Sequence, residues 1–149
     1  MVFKGVPEFA TQEILGHDHQ TFTKCFRAIR HSGSSLFKED FLPTFADPAA
    51  VEAAAKGRMA NVVVNNSPND KDITYWSLSL FDSVDSLNKR IRRNAYLKTV
   101  FPAIAVGKTD DEKGVAWREK GHHIVYFLYD YETDNPCIDF SILENIDGE

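Results

Sequence analysis

The sequence is poor in cysteine, and this scarcity excludes two classes of small domain. Only Cys25 and Cys137 occur among 149 residues, and neither belongs to a CxxC pair. Disulfide-rich domains and zinc ribbons depend on closely spaced cysteines. We therefore expect neither class and interpret both thiols as reduced and buried. A nucleophile hypothesis for Cys25 stays open, because Lys24, Arg27 and His31 lie near it in the sequence and cations favour a thiolate.

The chain also lacks long apolar runs and an excess of positive charge. No stretch approaches the roughly 18 apolar residues that span a bilayer, and no basic start is followed by an apolar segment. The formal net charge of -5 opposes approach to DNA, RNA and anionic membranes. The sequence therefore predicts a cytoplasmic protein without a membrane partner, and nucleic acid is not its expected partner.

Three local motifs of catalysis and nucleotide binding are missing. The chain contains neither the serine motif GxSxG, nor the P-loop GxxxxGK[ST], nor the dinucleotide fingerprint GxGxxG. We therefore largely do not expect the chemistries that these three motifs support. The residues by themselves predict no cofactor.

The residues that are present predict one folded domain. Hydrophobic residues make up 43% of the chain and aromatic residues 12%, which is enough for one continuous core. No repeat, low-complexity tract or linker interrupts the sequence. We therefore predict a single compact domain over residues 1–149.

Two segments carry helix signals. In "DPAAVEAAAKG", Asp47 suits the N-cap and Gly57 the C-terminal stop. Over residues 83–100, apolar residues recur at helical spacing behind Asp82 or Ser83 as the N-cap. The sequence thus predicts one alanine-rich helix and one longer helix over 83–100.

Strand signals occupy much of the remaining chain. Period-two alternation and β-branched runs predict strands within residues 21–30, 61–64 and 73–81. Beyond residue 102, short apolar runs separated by turn signals predict a β-meander. In "GHHIVYFLYDY" (121–131) both faces are apolar, which predicts a central strand buried on both sides. Together these signals predict an α+β fold, with two or three helices against a largely antiparallel sheet of about five to seven strands.

The histidines suggest one metal hypothesis. On an extended backbone a His-x-His pair faces one side, so His17 and His19 could share a metal with one further histidine. His122 and His123 point to opposite sides of a strand, so only one of them can join. Because HExxH and CxxC are absent, the sequence predicts no metal site, and a His-based metal-dependent hydrolase is kept as a second alternative.

The predicted helix over 83–100 carries a dense basic cluster in an otherwise acidic protein. It is interpreted either as a solvated face opposite the apolar stripe or as a docking surface for an acidic partner or a phosphate-bearing ligand. Arginine suits the second role because its guanidinium binds phosphate in bidentate geometry. The candidate binding residues are Lys89, Arg90, Arg92 and Arg93.

Three segments follow one another in an order that a known enzyme family shares. An early strand holds arginine in "CFRAIRH", a later strand reads "YWSLSLF", and a late strand carries an acid in "CIDFSILE". This order resembles the Arg, Ser, Glu layout of the ADP-ribosyltransferases. The resemblance implies NAD as the cofactor, with arginine on its phosphates, serine lining the cleft and the acid at the ribose. The implied site residues are Arg27, Arg30, Ser77, Ser79, Asp139 and Glu144.

The first hypothesis for function is nevertheless a non-enzymatic binding or regulatory protein. No complete catalytic set stands in the sequence, and abundant Tyr, Phe and Arg suit protein interfaces. An inhibitor, an antitoxin or immunity-like protein, or a small subunit of an assembly fits this pattern, with another protein as the partner. The NAD-dependent ADP-ribosyltransferase-like enzyme or toxin is the alternative.

Overall fold

The computed structural model describes residues 2–30, 35–55 and 73–143, which form a six-stranded sheet with four α-helices. The strands are β1 (Cys25–Ile29), β2 (Leu78–Phe81), β3 (Ala103–Gly107), β4 (Gly114–Lys120), β5 (His123–Leu128) and β6 (Phe140–Ile142). The helices are α1 (Glu8–Leu15), α2 (Pro48–Ala55), α3 (Val84–Arg92) and α4 (Ala95–Val100). Short 3-10 helices cover Lys38–Phe41, Thr44–Ala46, Ile73–Trp76 and Pro136–Asp139. The predicted α+β class with a largely antiparallel sheet is confirmed.

The strand order β4-β5-β2-β1-β3-β6 corrects the predicted C-terminal meander. Strands β4 and β5 form a hairpin, but β3 pairs with β1 and β6 on the other side of the sheet. Period-two alternation identifies a strand without identifying its neighbour, and neighbours in sequence are not always neighbours in a sheet. The meander was inferred from sequence order alone.

Two predicted elements have different boundaries in the structure. Residues 73–76 of the predicted strand over 73–81 form a 3-10 helix, where Trp76 packs edge-on against Phe9 at 5.4 Å between ring centroids. The predicted helix over 83–100 is two helices, because the side-chain oxygen of Asn94 accepts from the backbone N–H groups of Tyr96 and Leu97 and starts α4. The strand predicted at 61–64 and the stop at Gly57 lie outside the described residues.

Other local signals are confirmed. The Ser83 hydroxyl caps α3 by accepting from Ser86 N, and the Asp47 carboxylate accepts from Ala49 N and Ala50 N at the start of α2. Strand β1 forms where it was predicted. Helix α1 is an addition that the sequence patterns did not predict.

The two faces of the sheet are covered differently. One face, which we call the helical face, lies under α1 and α3: Trp117, Val125 and Phe127 belong to the core cluster of α1, and Phe26 and Ile104 to that of α3. The opposite face packs against 3-10 helices and irregular segments through residues such as Phe41, Tyr126 and Phe140. Strand β5 is buried on both faces, as predicted, but stands second from the sheet edge.

The β4–β5 hairpin includes a close backbone approach at Gly114. A Cβ atom at this position would collide with the carbonyl group of Phe127 and with the Cα atom of Leu128 on the facing strand. Only glycine therefore allows β4 to begin at its observed distance from β5.

We expect Gly114→Ala to lower the free energy of unfolding by about 1–3 kcal/mol, because the added methyl group forces the two strands apart. Chemical denaturation measures this change. Lys120→Ala at the exposed end of the same strand is the control and should stay within about 0.5 kcal/mol of the parent protein. Equal stability of the parent and Gly114→Ala would contradict the close approach.

Candidate functional site

A cleft of about 630 Å³ opens on the helical face of the sheet. Strands β1, β2 and β5 contribute to its lining, together with α3, α4, the start of α2 and the chain before it. This volume lies within the roughly 300–1,000 Å³ typical of small-molecule sites. Both arginine candidates and one serine candidate from the sequence lie here: Arg27, Arg30 and Ser79.

The cleft is strongly basic although the chain is acidic. In the described part of the chain, the basic lining residues are Arg27, Arg30, Lys89, Arg90 and Arg93, and the acidic one is Asp47. Three of the four residues predicted from the basic cluster therefore face the cleft. The fourth, Arg92, is exposed and is not among the lining residues. The short helix α4 begins just beyond Arg93, so the break in the predicted helix lies at the rim of the site.

Arg27 has a structural role in this cleft. Its Nε and Nη1 atoms donate to the carbonyl oxygens of Asp40 at 2.7 Å and Ser79 at 2.9 Å, and Nη2 donates to Leu42 O at 3.5 Å. Burial lowers the pKa of Arg27 to about 10, and the guanidinium still carries its charge at neutral pH. Because backbone carbonyls occupy its donors, Arg27 contributes positive charge to the cleft but few hydrogen-bond donors for a ligand.

The remaining arginines are better placed for a ligand. Arg30 shares an ion pair of 3.3 Å with Asp47, and its guanidinium carbon lies 5.1 Å from the ring centroid of Phe101. The guanidinium of Arg90 lies 5.9 Å from the ring centroid of Phe81. Within residues 2–30, 35–55 and 73–143, no carboxylate forms an ion pair with Arg90 or Arg93. The ring of Phe81 holds the Arg90 guanidinium at the cleft without neutralising it, whereas Asp47 partly offsets the charge of Arg30.

Ser79 and His123 lie side by side in the same cleft. The Ser79 Oγ atom is 2.6 Å from His123 Nε2, and His123 Nδ1 is 3.2 Å from a carboxylate oxygen of Glu119. The histidine side chain is 13% exposed, so the contact is largely shielded from water, and the glutamate is 36% exposed. The ring of Phe81 adjoins the imidazole at 5.3 Å between centroids.

Glu119 is the residue of the Ser79–His123–Glu119 contact series that the sequence patterns do not indicate. It belongs to "REKG", one of the turn signals that separate the apolar runs beyond residue 102, whereas β4 continues to Lys120. The pairing of β4 with β5 shifts register between Arg118 and Lys120, so Glu119 is the extra residue of a β-bulge. Alternation from Trp117 places Glu119 on the face of His123. A turn interpretation of "REKG" assigns no face to Glu119, so the contact with His123 is not predicted.

Ser77 and Asp139, which the transferase resemblance also implies, do not line the cleft. The Ser77 side chain is fully buried and donates to Thr74 O at 2.9 Å. The carboxylate of Asp139 forms an ion pair of 2.7 Å with Lys113 and is not among the lining residues. Glu144 lies outside the described residues. The structure thus brings Arg27, Arg30 and Ser79 together, but neither Ser77 nor Asp139 joins them.

The histidines of the metal hypothesis lie in different environments. His17 stacks on Trp117 with 3.9 Å between ring centroids, and His19 lies 6.0 Å from the same ring in a parallel orientation. His122 is exposed and contacts the Asp82 carboxylate at 2.7 Å, whereas His123 faces the cleft. In the described part of the chain, no group of three or more His, Cys, Asp or Glu side chains is arranged to hold a metal ion.

The nucleophile hypothesis for Cys25 is not supported by its surroundings. Its side chain is fully buried in the core cluster opposite the helical face, and burial raises the pKa of the thiol to about 12. A thiol with such a pKa is protonated at neutral pH and is a poor nucleophile. The interpretation of Cys25 as a buried thiol is confirmed.

Comparisons with known proteins return nothing for this chain: no protein family matches it, and neither a curated protein nor a solved structure is significantly similar. The helices of the described residues are too short and too polar for any of them to cross a membrane. The arrangement of residues in the cleft therefore carries the functional argument.

We expect Arg27→Met to lower the free energy of unfolding by more than about 2 kcal/mol. The substitution removes the donors to at least two shielded carbonyl oxygens, and each unsatisfied group costs about 1–3 kcal/mol. Arg93→Met, at an exposed residue of the same cleft, is the control and should change stability little. If both variants unfold at the denaturant concentration of the parent, the structural role of Arg27 is wrong.

Proposed function

We propose that the protein binds a phosphate-bearing small molecule in the basic cleft. The observation that carries this proposal is the charge of the lining: among the lining residues that the structure describes, five are basic and one is acidic, in a protein whose net charge is -5. A concentration of one sign of charge inside a concave, partly water-excluding site favours an anionic ligand. The cleft volume suits a molecule of nucleotide size.

The types and neighbours of the basic side chains support phosphate as the anionic group. Arg30 and Arg90 present planar guanidinium groups, which bind phosphate through two parallel hydrogen bonds. Each rests near an aromatic ring, Phe101 or Phe81, and so is held in place before a ligand arrives. Pre-ordered donors lose less side-chain entropy on binding, which raises the affinity.

NAD carries phosphate groups and therefore belongs to the proposed class of ligand. The transferase hypothesis requires one further group in the cleft. A transferase needs a carboxylate at the bound ribose, and among the described lining residues only Asp47 supplies one. That carboxylate already caps α2 and pairs with Arg30. The geometry therefore supports binding of a phosphate-bearing molecule more than transfer of ADP-ribose.

Calorimetric titration with inorganic phosphate, ATP and NAD tests the proposal. We expect Arg90→Gln to weaken binding of the preferred ligand by roughly tenfold or more, because a hydrogen bond to a charged group contributes about 1.5–3 kcal/mol. Arg92→Gln is the matched control: it removes the same charge from the same helix outside the cleft, and it should leave affinity nearly unchanged. Binding should also weaken as salt rises.

Two results would contradict the proposal. One is the absence of binding for all three ligands at low salt. The other is an equal loss of affinity in Arg90→Gln and Arg92→Gln, which would indicate general attraction to a basic helix. Release of nicotinamide from NAD in the same samples would favour the transferase hypothesis over simple binding.

Binding of another protein is a second candidate, and a separate surface favours it. Ile138 is 86% exposed and Phe37 is 54% exposed, on neighbouring segments that Asn135 joins by donating to Lys38 O and Phe41 O. Large apolar side chains that stand in water together mark interaction surfaces. This surface includes part of the 3-10 helix Pro136–Asp139, and neither Ile138 nor Phe37 lines the basic cleft.

Affinity purification from the native cell, with the parent protein and with Ile138→Asp, tests the second candidate. A partner recovered in stoichiometric amount with the parent and lost with Ile138→Asp would support it. The second candidate would be contradicted if the parent protein recovered no stoichiometric partner and also sedimented as a lone monomer.

A further inference from the structure

The chain of contacts from Ser79 through His123 to Glu119 has the order of a catalytic triad. The hydroxyl oxygen lies 2.6 Å from one imidazole nitrogen, and the other nitrogen lies 3.2 Å from a carboxylate oxygen. A nucleophile, a base and a group that orients the base are recognised by this geometry and not by their spacing in the sequence. The absence of GxSxG therefore does not exclude serine chemistry here.

Neighbouring strands hold the three side chains in place. Strands β2 and β5 pair Phe81 with His123 and Ser79 with Val125, so Ser79 and His123 are diagonal neighbours on one face of the sheet. Glu119 reaches the same imidazole from the bulge in β4. Sites built on paired strands keep their geometry better than sites built on loops.

A purely structural link between β2 and β5 does not account for the whole arrangement. The backbone ladder already joins these strands at four residue pairs. The serine and the histidine line an open cleft instead of filling the core, and a carboxylate lies against the far nitrogen of the ring. A carboxylate beside Nδ1 favours the tautomer in which Nδ1 carries the proton, and in this tautomer Nε2 accepts from the serine hydroxyl.

We propose that Ser79 is the nucleophile of an esterase that acts on a phosphate-bearing ester bound in the basic cleft. This inference rests on the proposed function, because Arg30, Arg90 and Arg93 would hold the phosphate of the substrate. His123 is the general base, and Glu119 is a positioning residue. The ester carbonyl lies over Ser79 while the phosphate group lies among the guanidinium groups.

The reaction is hydrolysis in two steps. Ser79 Oγ attacks the ester carbonyl carbon and gives its proton to His123 Nε2; the carbon–oxygen ester bond breaks, and the departing alcohol takes that proton. A water molecule then gives a proton to His123 and attacks the acyl-serine. The acid leaves, and the Ser79 oxygen regains the proton from His123, so one ester and one water yield one acid and one alcohol.

Covalent labelling with a fluorophosphonate probe tests the nucleophile without requiring the natural substrate. We expect a stoichiometric adduct at Ser79 in the folded protein, identified by peptide mass spectrometry, and slow turnover of p-nitrophenyl acetate. Ser79→Ala should abolish both. His123→Gln should slow labelling by roughly 100-fold or more, since a general base contributes about 10²–10⁴-fold.

Two further variants separate catalysis from structure. Ser86→Ala removes a hydroxyl that lines the same cleft, and it should label Ser79 at the parental rate. Glu119→Gln should lower kcat for p-nitrophenyl acetate by roughly tenfold or more with unchanged thermal unfolding, and Glu119→Asp should restore part of it. A role in stability alone would move the unfolding temperature and leave kcat unchanged.

The outcomes distinguish this inference from the proposed function. Phosphate or nucleotide binding without any adduct at Ser79 overturns the esterase and leaves the binding function standing. An adduct that forms equally in His123→Gln also overturns it. Labelling at Ser79 without binding of any phosphate compound overturns the inference that the substrate carries a phosphate group. Labelling that requires His123, together with ATP binding that survives in Ser79→Ala, supports both proposals.

Discussion

The guanidinium of Arg27 joins strands β1 and β2 where their backbone ladder ends. The ladder between these strands consists of the pair Phe26 and Phe81, and beyond it the Ser79 carbonyl accepts a hydrogen bond from Arg27 instead of from a backbone N–H. The same guanidinium also donates to the carbonyl oxygen of Asp40, which ties the segment before α2 to the sheet. One side chain thus satisfies backbone groups that the gap between the strands would otherwise leave unpaired.

This constraint places the cleft and orients Ser79. The residue is held through its carbonyl oxygen by Arg27 on β1 and through its hydroxyl by His123 on β5. Its side chain therefore points to the helical face at a defined position between two neighbouring strands. Because Ser79 is held on both sides, its side chain loses little further conformational entropy when a ligand binds. Such a pre-ordered residue suits a binding site better than a residue that must first become ordered.

Short-range signals in the sequence were sufficient for much of the fold. The caps at Asp47 and Ser83 depend on contacts within three residues, and both form as the sequence predicts. The break at Asn94 was missed because the apolar stripe continues through it, and a stripe does not show where one helix gives way to another. The meander failed for a related reason: alternation shows that a strand exists but not which strand lies beside it.

The site was harder to predict because its members meet only through the sheet. Ser79 and His123 are separated by 44 residues and become neighbours through the register of β2 and β5, which no local pattern contains. Regular alternation from Trp117 places Glu119 on the face of His123, but the composition of "REKG" indicates a turn, so the sequence does not assign Glu119 to β4. The basic residues of α3 are evident in the sequence, but only the structure shows that Lys89 and Arg90 line the same cleft as Ser79 and His123. Arg90 and Ser79 line the same cleft, so the proposed binding and the proposed chemistry depend on the same arrangement of strands.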